Sequence, residues 1–184
     1  ELIALAKARP GDLNYASSAI GAGSHLAGEL FKAMAHVNIV HVPFKGVTAA
    51  LTSMLGGQVQ MMFAITSVGL PQVQTGKVRG LAVTSTKRSR AIPELPTVNE
   101  ALGVKDYELI AYFAIFAPAG TPAEAVARLN KAINNAANAK DVQEKLSSFG
   151  LVIDPGTPDD LSRRNQAETA KWSKAIREAK IEPQ

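Results

Sequence analysis

The chain has 184 residues, no cysteine, 46% hydrophobic residues and a mean hydropathy of +0.02. This composition fits one large or two small globular domains. It excludes disulfide frameworks, thiolate zinc sites and thiol nucleophiles, and no apolar run approaches the ~20 residues of a membrane-spanning helix. The net charge of +4 is unevenly spread. From Leu30 to Pro93 there is no Asp or Glu, while Lys32, Lys45, Lys77, Arg79, Lys87, Arg88 and Arg90 fall in that stretch. From Lys105 onward, 11 basic residues balance 11 acidic ones. The positive field therefore belongs to the first half, where it attracts anions.

In chain order, the first residues read as a helix with Leu2, Leu5 and Ala6 on one face, stopped by Pro10-Gly11. A helix that starts without a capping side chain suggests a chain cut from something longer. Leu13 to Ala16 reads as a short strand. Ser24 to Ala35 has helical periodicity, with Leu26, Ala27, Leu30, Phe31 and Met34 on one side. Asn38 to Val42 is a strand. Thr48 to Leu55 is a helix stopped by Gly56-Gly57. Val59 to Phe63 is a strand, and Ser67 to Gln74 is a short helix despite Pro71. Val78 to Val83 is expected as a fourth strand. This alternation predicts an α/β fold with a parallel sheet and right-handed crossovers.

Residues 85–96 read as a loop. Thr97 to Leu102 reads as one helical turn, with Thr97 as cap and Glu100 three residues on. Tyr107 to Ile110 and Tyr112 to Ala117 are strand-like. Thr121-Pro122 then opens a long helix to about Ala137. Asp141 to Phe149 is another helix, Leu151 to Ile153 a short strand, and Thr157-Pro158 opens a last helix carrying Leu161, Trp172 and Ile176. These tail helices are amphipathic and need a partner surface. The simplest account is a tail that belongs to a second domain whose other half lies upstream.

The clearest binding signal runs from Ser17 to Glu29, SSAIGAGSHLAGE. Ser17 and Ser18 close a strand, Gly21, Ala22 and Gly23 let a ligand approach the backbone, and Ser24 is placed to cap the helix. Free N–H groups of that first turn, together with the helix dipole, favour an anion. Two sister loops occupy equivalent places, Lys45-Gly46 after the second strand and Ala64 to Ser67, with Thr66, after the third. Loops at the C-terminal ends of parallel strands share one rim, where ligands of such sheets bind.

Catalytic constellations are poor. His25 beside Ser24 makes no triad by adjacency, and no G-x-S-x-G elbow exists. Gly21-x-Gly23 lacks the third glycine of a dinucleotide fingerprint, because Leu26 stands there. His36 and His41 have no carboxylate nearby for a metal site. The basic run lacks the interleaved aromatics that nucleic acid would need. No catalytic residue, metal, cofactor or nucleic acid is expected.

The segments NYASSAIGAGSHLAGELFK, VHVPFKGVTAALTSMLGGQVQMMF, GKVRGLAVTSTKRS, PELPTVNEA, FAPAGTP and AETAKWSKAI together resemble one family, over the whole chain and in order. They look like the periplasmic receptors of tripartite tricarboxylate transporters, also called Bug receptors. The resemblance implies a type II periplasmic-binding-protein fold of two lobes closing over a small organic carboxylate. Such receptors deliver the ligand to a membrane permease and catalyse nothing. Residues 1–106 would then form most of the second, ligand-binding lobe. Residues 107–184 would hold crossover strands and the C-terminal part of the first, with self-association where its apolar faces lie bare. The implied ligand-binding set is Ser17, Ser18, Ala22, Gly23, Ser24, Lys45, Gly46, Ala64, Thr66 and Ser67.

Two departures from the family pattern sharpen the ligand. Ala64 stands where the family often has an Asp that holds an amino group. Ala19-Ile20-Gly21-Ala22 stands where Gly-Asn-Gly-Thr is frequent. Both make the site more apolar and predict a carboxylate without an ammonium group. A second reading is the effector-sensing domain of a transcriptional regulator, which an upstream helix-turn-helix would favour and an upstream signal peptide would not. An enzyme using the Ser24 and Thr66 hydroxyls is a third.

Overall fold

The computed structural model describes residues 1–178. Residues 179–184, assigned above to the tail, lie outside the described residues. The elements are α1 (Leu2–Ala8), β1 (Asn14–Ser17), α2 (Gly23–Ala35), β2 (Val40–Pro43), α3 (Val47–Leu55), β3 (Met61–Met62), α4 (Thr66–Gln74), α5 (Val98–Leu102), α6 (Ala123–Ala137), α7 (Lys140–Ser148) and α8 (Pro158–Glu178).

The three strands form a parallel sheet in the order β2-β1-β3. Alternation along β1 splits the core in two. Tyr15 points to one face, where it meets Phe31 and Ala35 of α2 together with Met61 and Phe63. Ala16 points to the other, where it meets Ala50 of α3, Val59 and Met62. This is the period of two that a strand covered on both faces requires. Complete burial of a side chain such as Phe31, 7% exposed, contributes about 1.5–3 kcal/mol. Gly28 of α2 has a structural reason to lack a side chain, since a Cβ there would run into the Tyr15 ring.

Four expected strands do not form. Of Val78 to Val83, only Val83 pairs, through a single parallel bridge to Thr97. Gly80, packed against Leu95, interrupts that stretch. Tyr107 is fully buried, yet its N–H and C=O are both bonded by the Asn99 side-chain amide at 3.0 Å. One side chain thus takes the place of a neighbouring strand. Leu109 is bonded in the same region, its N–H to Thr84 O at 3.0 Å and its carbonyl to Thr84 Oγ1 at 2.7 Å. Tyr112 to Ala117 and Leu151 to Ile153 form neither helix nor strand, with Phe113, Ile115 and Phe116 about 70% exposed and Val152 88%. Their sequences suit strands, but no strand among the described residues lies beside them to accept the bonds.

Among the described residues, none beyond Tyr107 is buried. The tail is held by polar contacts. Asn130 and Asn134 donate to Gly156 O, Arg164 stacks over Tyr112 while pairing with Asp154, and Lys171 donates to Glu108 O. At the sheet unit itself, Gly150, at φ +72°, lies against the side chains of Thr66 and Leu70.

Candidate functional site

The order β2-β1-β3 places β1 at the centre, with the chain turning to β2 on one side and to β3 on the other. In sheets of this order, ligands bind outside the strand C-termini where the winding reverses, between the first and third strands. The loops leaving β1, β2 and β3 open α2, α3 and α4 at that edge. The first two are bonded together, with Phe44 N–H donating to Ser17 O at 2.9 Å and Gly46 N–H to Ser18 O at 2.8 Å. Gly46 takes φ +101° and ψ +161°, a conformation essentially confined to glycine.

Ser24 does not cap α2, contrary to the sequence reading. The helix begins one residue earlier, at Gly23, with Ala22 as its cap residue and no capping side chain. Ser24 Oγ instead accepts the Ser18 N–H at 3.0 Å and sits 3.2 Å from Ser18 Oγ. Ser17 is fully buried, its hydroxyl donating to Ala19 O at 3.0 Å and lying 2.6 Å from His41 Nε2. The backbone of Ser17 thus shapes the loop while its side chain faces inward. Lys45 and Gly46 are exposed, and Lys45 has no ion pair among the described residues. Ala64 is half-buried between β3 and α4; Thr66 is exposed and Ser67 half-buried at the start of α4.

The helix starts at this edge share one property. α2, α3 and α4 have neither a capping side chain nor an acidic residue in the first turn. By contrast, α5, α6, α7 and α8 all carry acidic residues there: Glu100, Glu124, Asp141, and Asp159 with Asp160. α5 has a full capping box in which Thr97 accepts the Glu100 N–H and Glu100 accepts the Thr97 N–H. At the sheet edge, the N–H groups of Gly23, Ser24, Val47, Thr48, Ala49, Thr66 and Ser67 meet no acceptor among the described residues. The positive ends of three helix dipoles therefore converge without an internal counter-charge.

Beneath the loop lies a polar cluster that the sequence reading did not assemble. His25 of α2 and His41 of β2 stack with ring centroids 3.9 Å apart, and His41 also stacks on Tyr15. His25 Nδ1 accepts the Gly21 N–H at 3.0 Å. Tyr15 donates to Glu29 Oε1 at 2.7 Å, and Lys32 donates to both Glu29 oxygens. Burial, then the charge of the neighbouring ring, brings His41 down to about 4; burial also lowers His25. Burial pushes Glu29 up, but the hydrogen bonds from Lys32 and Tyr15 outweigh it and hold the carboxyl below its usual range. Burial and the bonded Glu29 raise Tyr15. Both histidines are therefore neutral near pH 7. The signal for the cluster was in the register, which sets Tyr15 opposite His41 on one sheet face.

The described residues contain no group of three His, Asp or Glu placed to hold a metal, and no helix long and apolar enough to cross a membrane. What the edge offers is donors: amides, hydroxyls and Lys45.

The family model described as "Tripartite tricarboxylate transporter family receptor" matches residues 1–181. The chain belongs to that family. It is 37% identical over 98% of its length to the UPF0065 protein of the tcbD-tcbE intergenic region of Pseudomonas sp. strain P51, of which it covers 54%. It is 34% identical over 96% of its length to BugT of Bordetella pertussis, again covering 54%. The chain thus spans about half the length of these curated relatives. Among solved structures it is similar to Rpa4515 of R. palustris with adipate, with a TM-score of 0.93 and 38% identity over the whole chain and 61% of that protein. It is also similar to the periplasmic binding protein BugD, with a TM-score of 0.88 and 31% identity over the whole chain and 62% of that protein. A third is MatC of Rhodopseudomonas palustris with bound malate, with a TM-score of 0.85 and 27% identity over 95% of the chain and 60% of that protein. The fold is that of the family's periplasmic binding proteins, mixed α/β with a parallel sheet. The family is one of solute-binding receptors, not of known enzymes, and it favours the receptor reading over a regulator's effector domain.

Proposed function

We propose that this chain forms the ligand-holding lobe of a periplasmic receptor that captures a small organic carboxylate for a tripartite tricarboxylate permease. The observation that carries the reading is the convergence of three uncapped, acid-free helix starts on one sheet edge. A carboxylate supplies the acceptors that these N–H groups lack. The ligand set is the Ser18 and Ser24 hydroxyls, the backbone of Ser17, Ala22, Gly23 and Gly46, the Lys45 ammonium, and the Thr66 and Ser67 start of α4, with Ala64 as an apolar wall. The adipate and malate in the neighbours' structures support the ligand class. Ala64 offers no carboxylate to an ammonium group, so the ligand we propose is a carboxylate without one. The tail from about residue 110 onward contributes to the facing lobe, Tyr107 and Leu109 remaining with the ligand-holding lobe.

A thermal-shift screen tests this, because a ligand that binds only the native state raises the unfolding midpoint. Adipate or malate should raise it, and Lys45→Ala should weaken the shift, most at low salt where Coulomb attraction is least screened. Tightest binding by aspartate or glutamate would falsify the ligand class. An absence of any carboxylate response would overturn the receptor reading.

A further inference from the structure

We infer that His25 is a positioning residue for the Ala19–Ala22 turn: its neutral ring holds the turn in its anion-receiving shape by accepting the Gly21 N–H, and protonation of the ring releases it. The inference rests on the reading that this turn belongs to the carboxylate site, but its central readout does not require a ligand.

Little else holds the turn. Ala19, Gly21 and Gly23 are exposed, and no atom lies within 4 Å of where a Gly21 Cβ would stand. Its internal bond, Ala22 N–H to Ala19 O, is long at 3.3 Å. Gly21 sits at φ +76°, which glycine adopts as readily as other conformations, so its own backbone does not lock the turn. The anchors are the Ser17 hydroxyl on Ala19 O and the His25 ring on the Gly21 N–H. His25 is 6% exposed, so its ring is fixed by packing before any ligand arrives.

Accepting that N–H requires a lone pair on Nδ1, which places the proton of the neutral ring on Nε2. A proton added at Nδ1 sets donor against donor and breaks the bond. The surroundings keep the ring neutral. From β2, the His41 ring stacks 3.9 Å away and covers one face of the His25 ring. From α2, Glu29 lies 3.9 Å from Nε2 and would favour a charge, but it is already engaged by Lys32 and by the Tyr15 hydroxyl of β1. Burial, the largest influence, disfavours the charged ring, and the Lys32 charge acts in the same direction. Acidification therefore charges one imidazole of the pair at the cost of the turn.

The test compares the wild-type chain with His25→Asn, His25→Gln and His25→Ala. Asn presents an acceptor where Nδ1 stands but cannot be protonated, whereas Gln presents one near Nε2. Two quantities are read from neutral pH down to pH ~5, across the histidine range. One is the amide chemical shift of Gly21 without ligand; the other is adipate affinity by calorimetry. We expect the wild-type Gly21 amide to titrate and adipate affinity to fall with it. His25→Asn should keep the neutral-pH shift and affinity while losing the acid dependence. His25→Gln and His25→Ala should lose about tenfold in affinity, roughly the worth of one hydrogen bond. An unmoved Gly21 amide in His25→Asn and His25→Ala alike would overturn the inference, as would acid dependence that persists in His25→Asn, or tighter adipate binding by the wild type in acid. If no carboxylate binds even the wild type, the receptor reading fails, and the Gly21 titration alone decides the role of His25.

Discussion

Single residues explain how a polar cluster survives inside this core. Tyr15 fills the space that Gly28 leaves open, stacks on His41 and satisfies its hydroxyl on Glu29. Gly28→Ala should therefore cost about 1–3 kcal/mol by overpacking, read as a lower urea midpoint at unchanged slope. An unchanged midpoint would mean that the ring moves freely aside. His41 brings a pH dependence whose sign follows from its depressed folded value of about 4, against an ordinary 6.5. In the window between these values the unfolded chain binds the proton more readily, so His41 contributes stability that is full above about pH 6.5 and declines toward pH 4. His41→Gln should flatten that part of the stability profile, and a profile as steep as the wild type's would refute the assignment. Neither histidine looked functional from its neighbours in sequence, since the pair exists only because β2 sets His41 opposite Tyr15 and α2 packs on that face.

At the level of elements, helices were legible, whereas four of the seven expected strands do not form among the described residues. The eight helices among the described residues were all expected, most within a residue or two of their bounds, because their hydrogen bonds and caps are local. Strands need a neighbour. Val78 to Val83, Tyr107 to Ile110, Tyr112 to Ala117 and Leu151 to Ile153 have strand composition without a strand beside them among the described residues. Amides of residues 112–117 should accordingly exchange with solvent far faster than those of β1, and slow exchange there in the isolated chain would reveal a partner strand. The capping box of α5 is local and also holds the Val83 bridge through Thr97. Thr97→Ala should cost about 1 kcal/mol in chemical denaturation, and a loss below a few tenths would show that Glu100 alone suffices.

Across the whole molecule, burial is lopsided. Every buried residue among those described lies at or before Tyr107, whose hydroxyl donates to Ala27 O deep in the first unit. A chain ending after residue 110 should therefore fold cooperatively with the sheet intact, and a broad, non-cooperative melt would overturn this division. The full chain should self-associate through Phe113, Ile115, Phe116 and Val152, seen as concentration-dependent sedimentation that Phe113→Ser and Phe116→Ser weaken. A strict monomer at all concentrations would contradict it. The charge asymmetry acts at the same scale, since none of the three loops at the sheet edge carries an Asp or Glu to repel a carboxylate.

The sequence by itself determined the α/β alternation, the three loops of the sheet edge, the positive first half and the family. These follow from periodicity, turn residues and composition, which act over a few neighbouring positions. Tertiary structure alone decided that Ser24 serves Ser18 rather than the helix end, that Ser17 turns inward, that Asn99 stands in for a strand beside Tyr107, and that two neutral imidazoles underlie the loop. Each of these depends on partners many residues apart, and only the register of the sheet and the packing of α2 bring them together.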